Sequence, residues 1–106
     1  MLPLEGEAGF ARLGELEVAV LFKHSPTCII SMKANSQVEK FRSVNPQVPV
    51  YLISVKKERP ISNYVAAATG IEHASPQIIV FRKGVPAAVA THGEITAQSL
   101  QQMVQV

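Results

Sequence analysis

One cysteine, no tryptophan, four phenylalanines and two tyrosines are all that this chain of 106 residues holds of its most chemically distinctive side chains. A single cysteine excludes an intramolecular disulfide, and with it the stapled scaffolds of small secreted proteins. So few aromatic rings give little for bases to stack on. Ten Lys+Arg against eight Asp+Glu leave a formal charge of +2, too small and too scattered for a nucleic-acid footprint. The densest basic stretch, Lys56-Lys57-Glu58-Arg59, is broken by an acid and reads as a solvated loop. No apolar run approaches the roughly 18 residues of a membrane span. The opening MLPLEGEAGF lacks the charged and apolar regions of a secretory signal, so the expected address is the cytoplasm. A lone thiol stays reduced there unless its reactivity is used.

Several site chemistries are missing as well. There is no Gly-rich phosphate loop, no pair of catalytic carboxylates and no Ser/His/Asp arrangement. One cysteine and three histidines on separate segments do not have the clustered spacing of a metal site, so no metal is expected. What is present is core-forming material. Hydrophobic residues make up 47% and charged residues 17% of the chain. That composition and length fit one globular domain over 1–106, burying about two-thirds of its unfolded surface.

The order of elements follows from punctuation and period. Residues 5–13 form a short helix with Phe10 and Leu13 on one face. Glu17 to Phe22 is an apolar run of β-formers, a strand buried on both faces. His24-Ser25-Pro26-Thr27 stops it and supplies helix-start chemistry, with Ser25 capping ahead of Pro26 or Thr27 capping directly. The helix that follows runs from Cys28 to Arg42, with Ile30, Ala34, Val38 and Phe41 as its core face. Val48 to Val55 is a second strand, which makes a right-handed βαβ unit. A helix opens near Pro60 and ends at Gly70. Gln77 to Phe81 and Val85 to Thr91, joined by Arg82-Lys83-Gly84, form an antiparallel hairpin. Pro86 cannot donate to a ladder, so the last strand belongs at an edge. Thr96 caps a final helix, with Ile95 and Leu100 spaced as a hydrophobic staple. The result is an α/β sandwich: a short helix, then β-α-β, α, β-β, α around a mixed four-stranded sheet.

Cys28 therefore falls between the carboxyl end of a strand and the amino end of a helix. Unpaired N–H groups and the helix dipole there favour an anion, and can draw a thiol from about 8.5 to between roughly 3.5 and 7.5. A buried structural cysteine is the competing reading. Ser31, one turn on, can donate to a thiolate or make a local backbone bond, but it cannot resolve a mixed disulfide. The strand order puts His24, His73 and His92 at the same sheet end as Cys28. They are either a titratable rim for a thiolate or anionic substrate, or three independent capping histidines. Lys23 and Lys33 can steer an acidic small thiol or be solvated ends of elements. Met32 either lines a groove or packs under a loop.

Strand, Cys-x-x-Ser, helix, strand, helix, Ser-Pro, hairpin and helix resemble a thioredoxin fold. More narrowly, the chain resembles the YtxJ-type monothiol bacilliredoxin family. The matching pieces are Phe22-Lys23-His24-Ser25, Thr27-Cys28-x-Ile30-Ser31, Arg59-x-x-Ser62-Asn63, His73-x-Ser75-Pro76-Gln77 and His92-x-x-Ile95-Thr96. They span nearly the whole chain in order. Ile29 stands where the family tends to have proline, and Gly93 where it tends to have an aromatic residue.

The resemblance implies a thiol–disulfide oxidoreductase with Cys28 as nucleophile and His24, Thr27 and Ser31 around the thiolate. It implies a cis Ser75–Pro76 bond facing the cysteine, with His73, Ser75, Pro76, Gln77, His92 and Gly93 receiving substrate. The co-substrate it implies is bacillithiol, with no bound cofactor, S-thiolated proteins as clients and a separate reductase recycling the released disulfide. A glutathione-linked glutaredoxin would use the same sulfur, although Ile29-Ile30 replaces the Gly-Phe usual between Cys and Ser there. A non-catalytic thioredoxin-fold sensor, in which Cys28 only accepts a small-thiol cap, is the other alternative.

Overall fold

A computed structural model describes residues 1–25 and 29–105; Pro26, Thr27, Cys28 and Val106 lie outside the described residues. In chain order its elements are β1 (Leu2–Pro3), α1 (Gly6–Leu13), β2 (Val18–His24), α2 (Ile29–Val44), β3 (Val50–Ser54), α3 (Arg59–Thr69), β4 (Gln77–Arg82), β5 (Val85–Thr91), a 3-10 turn (His92–Glu94) and α4 (Ala97–Gln105). The sheet order is β1-β3-β2-β4-β5. β2 runs parallel to β3 and antiparallel to β4, and β5 is antiparallel to β4 at an edge. The edge position suits Pro86, and the register shifts beside it, opposite Val80 and Phe81.

One strand more is present than the four expected. Leu2 and Pro3 pair in parallel with Tyr51 and Leu52 of β3. Two residues are too few to show a period of two, and an outer position is where a proline is tolerated. The sequence carried no signal for this strand.

The central strand β2 explains the layering. Val20 and Phe22 pack into one core with Ala34, Val38 and Phe41 of α2 and Leu100 of α4. Ala19 and Leu21 enter the other core with Leu13, Ile53, Ile61, Val65 and Phe81, under α1 and α3. A strand buried on both faces is apolar without alternation, which is how Val18–Phe22 reads.

Local chemistry fixes the ends. Gly70 takes φ +72 and donates its N–H to Ala66 O at 2.9 Å, ending α3. Lys83 and Gly84 have φ +53 and +80, a two-residue hairpin turn. A Cβ at Gly84 would lie 3.0 Å from Gly14 O, so close approach as well as φ reserves the position for glycine. Thr96 and Ser99 exchange side chain-to-backbone hydrogen bonds of 3.0 Å in both directions, capping α4. The cap of α2 expected from Ser25-Pro26 or Thr27 lies outside the described residues.

The phase of α2 departs from expectation. Its buried stripe is Ser31, Ala34, Val38 and Phe41, whereas Ile30 is 48% exposed. Ile30 and Ser31 both satisfy helical spacing to Ala34 and Val38, so period alone could not separate them. A tertiary bond distinguishes Ser31: its Oγ accepts the Ser25 N–H at 3.3 Å. Among the described residues, no helix is long and apolar enough to cross a membrane.

Candidate active site

The carboxyl end of β2, the amino end of β4 and the carboxyl end of β5 meet at one end of the sheet. Lys23 stands opposite Gln77, and Gln77 opposite Thr91. The segment carrying Cys28 joins β2 to α2 at this same end. Cys28 and Thr27 themselves lie outside the described residues, so the site is built from what flanks them.

Ser31 is fully buried in the first turn of α2 and accepts the Ser25 N–H. Acting as an acceptor there, its hydroxyl still has its own proton to donate. In the loop before β4, the Ser75–Pro76 bond is cis. Pro76 O accepts the His92 N–H at 3.1 Å, which joins the loop before β4 to the turn after β5. His92 is held at φ +52, a left-handed conformation unusual for a residue with a Cβ. Glu94 braces that turn by accepting the Thr91 N–H at 2.9 Å and the Thr91 hydroxyl at 3.2 Å. These bonds hold the Glu94 carboxyl below its ordinary value of 4.5. Gly93 lies open beside His92, and a Cβ there would meet nothing within 4 Å.

The three histidines share a sheet end but not an environment. His24 turns back on Phe22, ring centroids 5.3 Å apart, and its Nδ1 is buried without a hydrogen-bond partner among the described residues. Burial pushes its pKa below 6.5. His73 lies on the opposite face of the sheet, its Nδ1 3.1 Å from Ser62 Oγ and 3.5 Å from Lys23 Nζ. Its pKa is also lowered, by burial first and then by the charges of Lys23 and Arg59. Burial thus favours the neutral form of both rings. His92 alone is exposed, at the lip beside Gly93. Gln77 is turned inward too: it is 2% exposed, and its Nε2 donates to Glu72 O at 3.0 Å. Its side chain braces the 72–77 loop rather than standing on the rim.

Lys23 is the residue that sequence reasoning placed worst. It is not a solvated end; it is fully buried on the α3 side of β2, with Nζ 3.4 Å from Ser62 O. The strand is two residues longer than its apolar run, and strand alternation sends Lys23 to the same face as Leu21. No carboxylate partners it among the described residues, and desolvation lowers its pKa from 10.5. Between that lowered value and 10.5 the unfolded chain binds a proton that the folded chain does not, so stability rises with pH there. Urea midpoints of wild type and Lys23→Met, followed from pH 7 to 10.5, should show wild type gaining on the variant as pH rises. A difference independent of pH would contradict this reading of Lys23.

The start of α2 has an apolar margin. Ile29 is 73%, Ile30 48% and Met32 59% exposed, so Met32 does not pack under a loop. Among the described residues, no three His, Asp or Glu side chains gather as a metal-holding set.

Comparison with known proteins places this geometry in a family. A solved structure described as a candidate oxidoreductase with a thioredoxin fold is 34% identical, at a TM-score of 0.90 over 96% of this chain and 91% of its own. Mitochondrial thioredoxin 3 of Saccharomyces cerevisiae superposes at 0.77 with 14% identity, over 99% of this chain and 93% of its own. A thioredoxin variant from Halobacterium salinarum does so at 0.77 with 16% identity, over 98% and 87%. At those identities the thioredoxins speak for the fold alone. The family model "Monothiol bacilliredoxin BrxC" matches residues 4–100, the stretch that contains Cys28, Ser31, the Ser75–Pro76 bond and the His92 turn. With its thiol redox role, the chain belongs to the monothiol bacilliredoxin family.

Proposed function

We propose that this protein releases a low-molecular-weight thiol, bacillithiol in the chemistry of its family, from mixed disulfides with client proteins. One observation carries the reading. The only thiol of the chain lies in sequence between the end of β2 and the start of α2, at the sheet end where the Ser75–Pro76 loop and the His92 turn are bonded together. Thiolate exchange needs one accessible sulfur of low pKa and a backbone surface to hold the partner.

The Cys28 thiolate attacks the small-thiol sulfur of the mixed disulfide. That S–S bond breaks, the client departs as a thiolate and takes up a proton, and a new S–S bond joins Cys28 to the small thiol. Ser31 has no sulfur to attack the adduct. A second small-thiol molecule, as its thiolate, therefore attacks the small-thiol sulfur, leaves as the symmetrical disulfide and regenerates Cys28. The net exchange consumes one mixed disulfide and one thiol, and yields one protein thiol and one small disulfide.

The test is a client protein carrying one bacillithiol mixed disulfide, mixed with this protein. Without free thiol, one equivalent of client should be released and the adduct mass should appear on Cys28. Added bacillithiol should give turnover. The iodoacetamide rate of Cys28 should titrate with a midpoint below the unperturbed value of about 8.5. A client that stays thiolated, with a midpoint near that value, would leave Cys28 as a passive acceptor and overturn the proposal.

A further inference from the structure

The stretch from Gly70 to Pro76 leads from α3 to β4 without a helix or strand of its own. Among the described residues its backbone bonds outside the sheet lie at the two ends, where Gly70 donates to Ala66 O and Pro76 O accepts from His92. Between those ends the loop hangs on side chains. Gln77 Nε2 donates to Glu72 O at 3.0 Å, and the Ile71 N–H donates to Thr69 Oγ1 at 3.2 Å. Ser75 adds no anchor, since its Oγ is buried without a partner among the described residues. The remaining anchor is the ring of His73.

That ring meets two polar residues with no exposure, Ser62 on α3 and Lys23 on β2. Ser62 Oγ lies 3.1 Å and Lys23 Nζ 3.5 Å from His73 Nδ1, and Nζ lies 3.4 Å from Ser62 O. An ammonium has three protons and no lone pair, so Lys23 can be met only by acceptors. Among the described residues the acceptors are His73 Nδ1 and Ser62 O. Nδ1 therefore carries the lone pair, the ring proton sits on Nε2, and the Ser62 hydroxyl donates to Nδ1 as well.

Packing does not account for this lysine. Leu21, Ile53, Ile61 and Val65 line the same layer, and an apolar side chain among them would avoid the cost of burying an ammonium. Its position does. Lys23 stands opposite Gln77 in the sheet and five residues before Cys28 in the chain. The three side chains thus join the root of the cysteine segment, the third helix and the loop before β4.

The join is sensitive to charge. Lys23 from β2 and Arg59 from α3 are the charged groups that act on the ring, and Glu72 beside it in the loop is exposed. A proton on Nδ1 would remove the acceptor and set a second cation 3.5 Å from Lys23. Burial and these two cations hold the His73 pKa below 6.5.

We propose that Lys23, Ser62 and His73 form a lock that positions the Ser75–Pro76 loop for the disulfide partner of Cys28, and that protonation of His73 opens it. The lock rests on the exchange reaction proposed above. Its members are positioning residues, which act through the loop from the α3 side of the sheet. Because the folded ring titrates below its unfolded value, the lock holds above pH 6.5 and is lost as pH falls through the lowered value.

The experiment compares two rates on each protein: single-turnover release from the bacillithiol-carrying client, which needs the loop, and alkylation of Cys28 by iodoacetamide, which does not. Their ratio cancels the thiolate fraction of Cys28. Lys23→Met and His73→Leu should lower the ratio about tenfold at pH 7.5, less than the ~10² that a 1 Å misplacement can cost. His73→Asn keeps an acceptor near the place of Nδ1 but cannot titrate. It should restore most of the ratio, and it should remove the fall that wild type shows below pH 6.5. If Lys23→Met or His73→Leu fails to fold by circular dichroism, the pH profile of His73→Asn decides alone. An acid fall as steep in His73→Asn as in wild type refutes the lock, as does a wild-type ratio in both apolar variants, and the exchange reaction then stands. If wild type releases no client while iodoacetamide still alkylates Cys28, the exchange reaction and the lock fall together.

Discussion

Replacing Cys28 with serine should abolish release of the small thiol from a protein mixed disulfide, while circular dichroism and urea midpoint stay near those of wild type. Loss of the nucleophile in a covalent mechanism costs on the order of 10⁶ in rate when nothing else can substitute. Nothing else can here, because the chain has one cysteine. Ser31 has an oxygen where a second sulfur would be needed. The assay is single-turnover release from a thiolated client, read by mass spectrometry. Release by Cys28→Ser at even a tenth of the wild-type rate would refute covalent exchange through this residue.

The second large effect is on the fold. Phe41→Ala should cost about 3–5 kcal/mol, the usual loss for a fully buried ring cut to a methyl. Phe41 is 1% exposed, between Val38 on its own helix and the sheet residues of the same core. A domain has about 5–15 kcal/mol in hand, so the variant should lose a large share of its urea midpoint. Ile30→Ala, on the neighbouring helical phase and half exposed, should cost within about 1 kcal/mol. The pair tests which stripe α2 buries. Equal losses for the two variants would mean that the helix does not pack on Ser31, Ala34, Val38 and Phe41.

What could be read beforehand follows a physical division. The β-α-β, α, β-β, α order and the thioredoxin-like class come from chain-local punctuation. Pro60, Gly70, Lys83-Gly84 and Thr96 each mark an end by a chemistry confined to one turn. Where a tertiary partner made the choice, the residues alone were silent. The Ser25 N–H turns Ser31 inward in place of Ile30, and Phe22 takes up the ring of His24. Lys23 is hidden by a strand that runs past its last apolar residue. β1 exists only because β3 offers it a partner. At the site, the meeting of the Pro76 and His92 segments followed from topology, since the strand directions alone bring those ends together.

The buried serine of α2 also bears on how many thiols this scaffold can accommodate. Ser31 Oγ is the acceptor that ties Ser25 to the first turn, at a position with no exposure. A cysteine there would bring a larger, weakly accepting sulfur into a closed space, and the amide of Ser25 would lose a good acceptor. A second thiol at this position would thus loosen the bond between Ser25 and the first turn of α2. The single-thiol habit is then more than an omitted residue. The scaffold has committed that position to holding Ser25, and in the cycle proposed above completion falls to a molecule that arrives from solution.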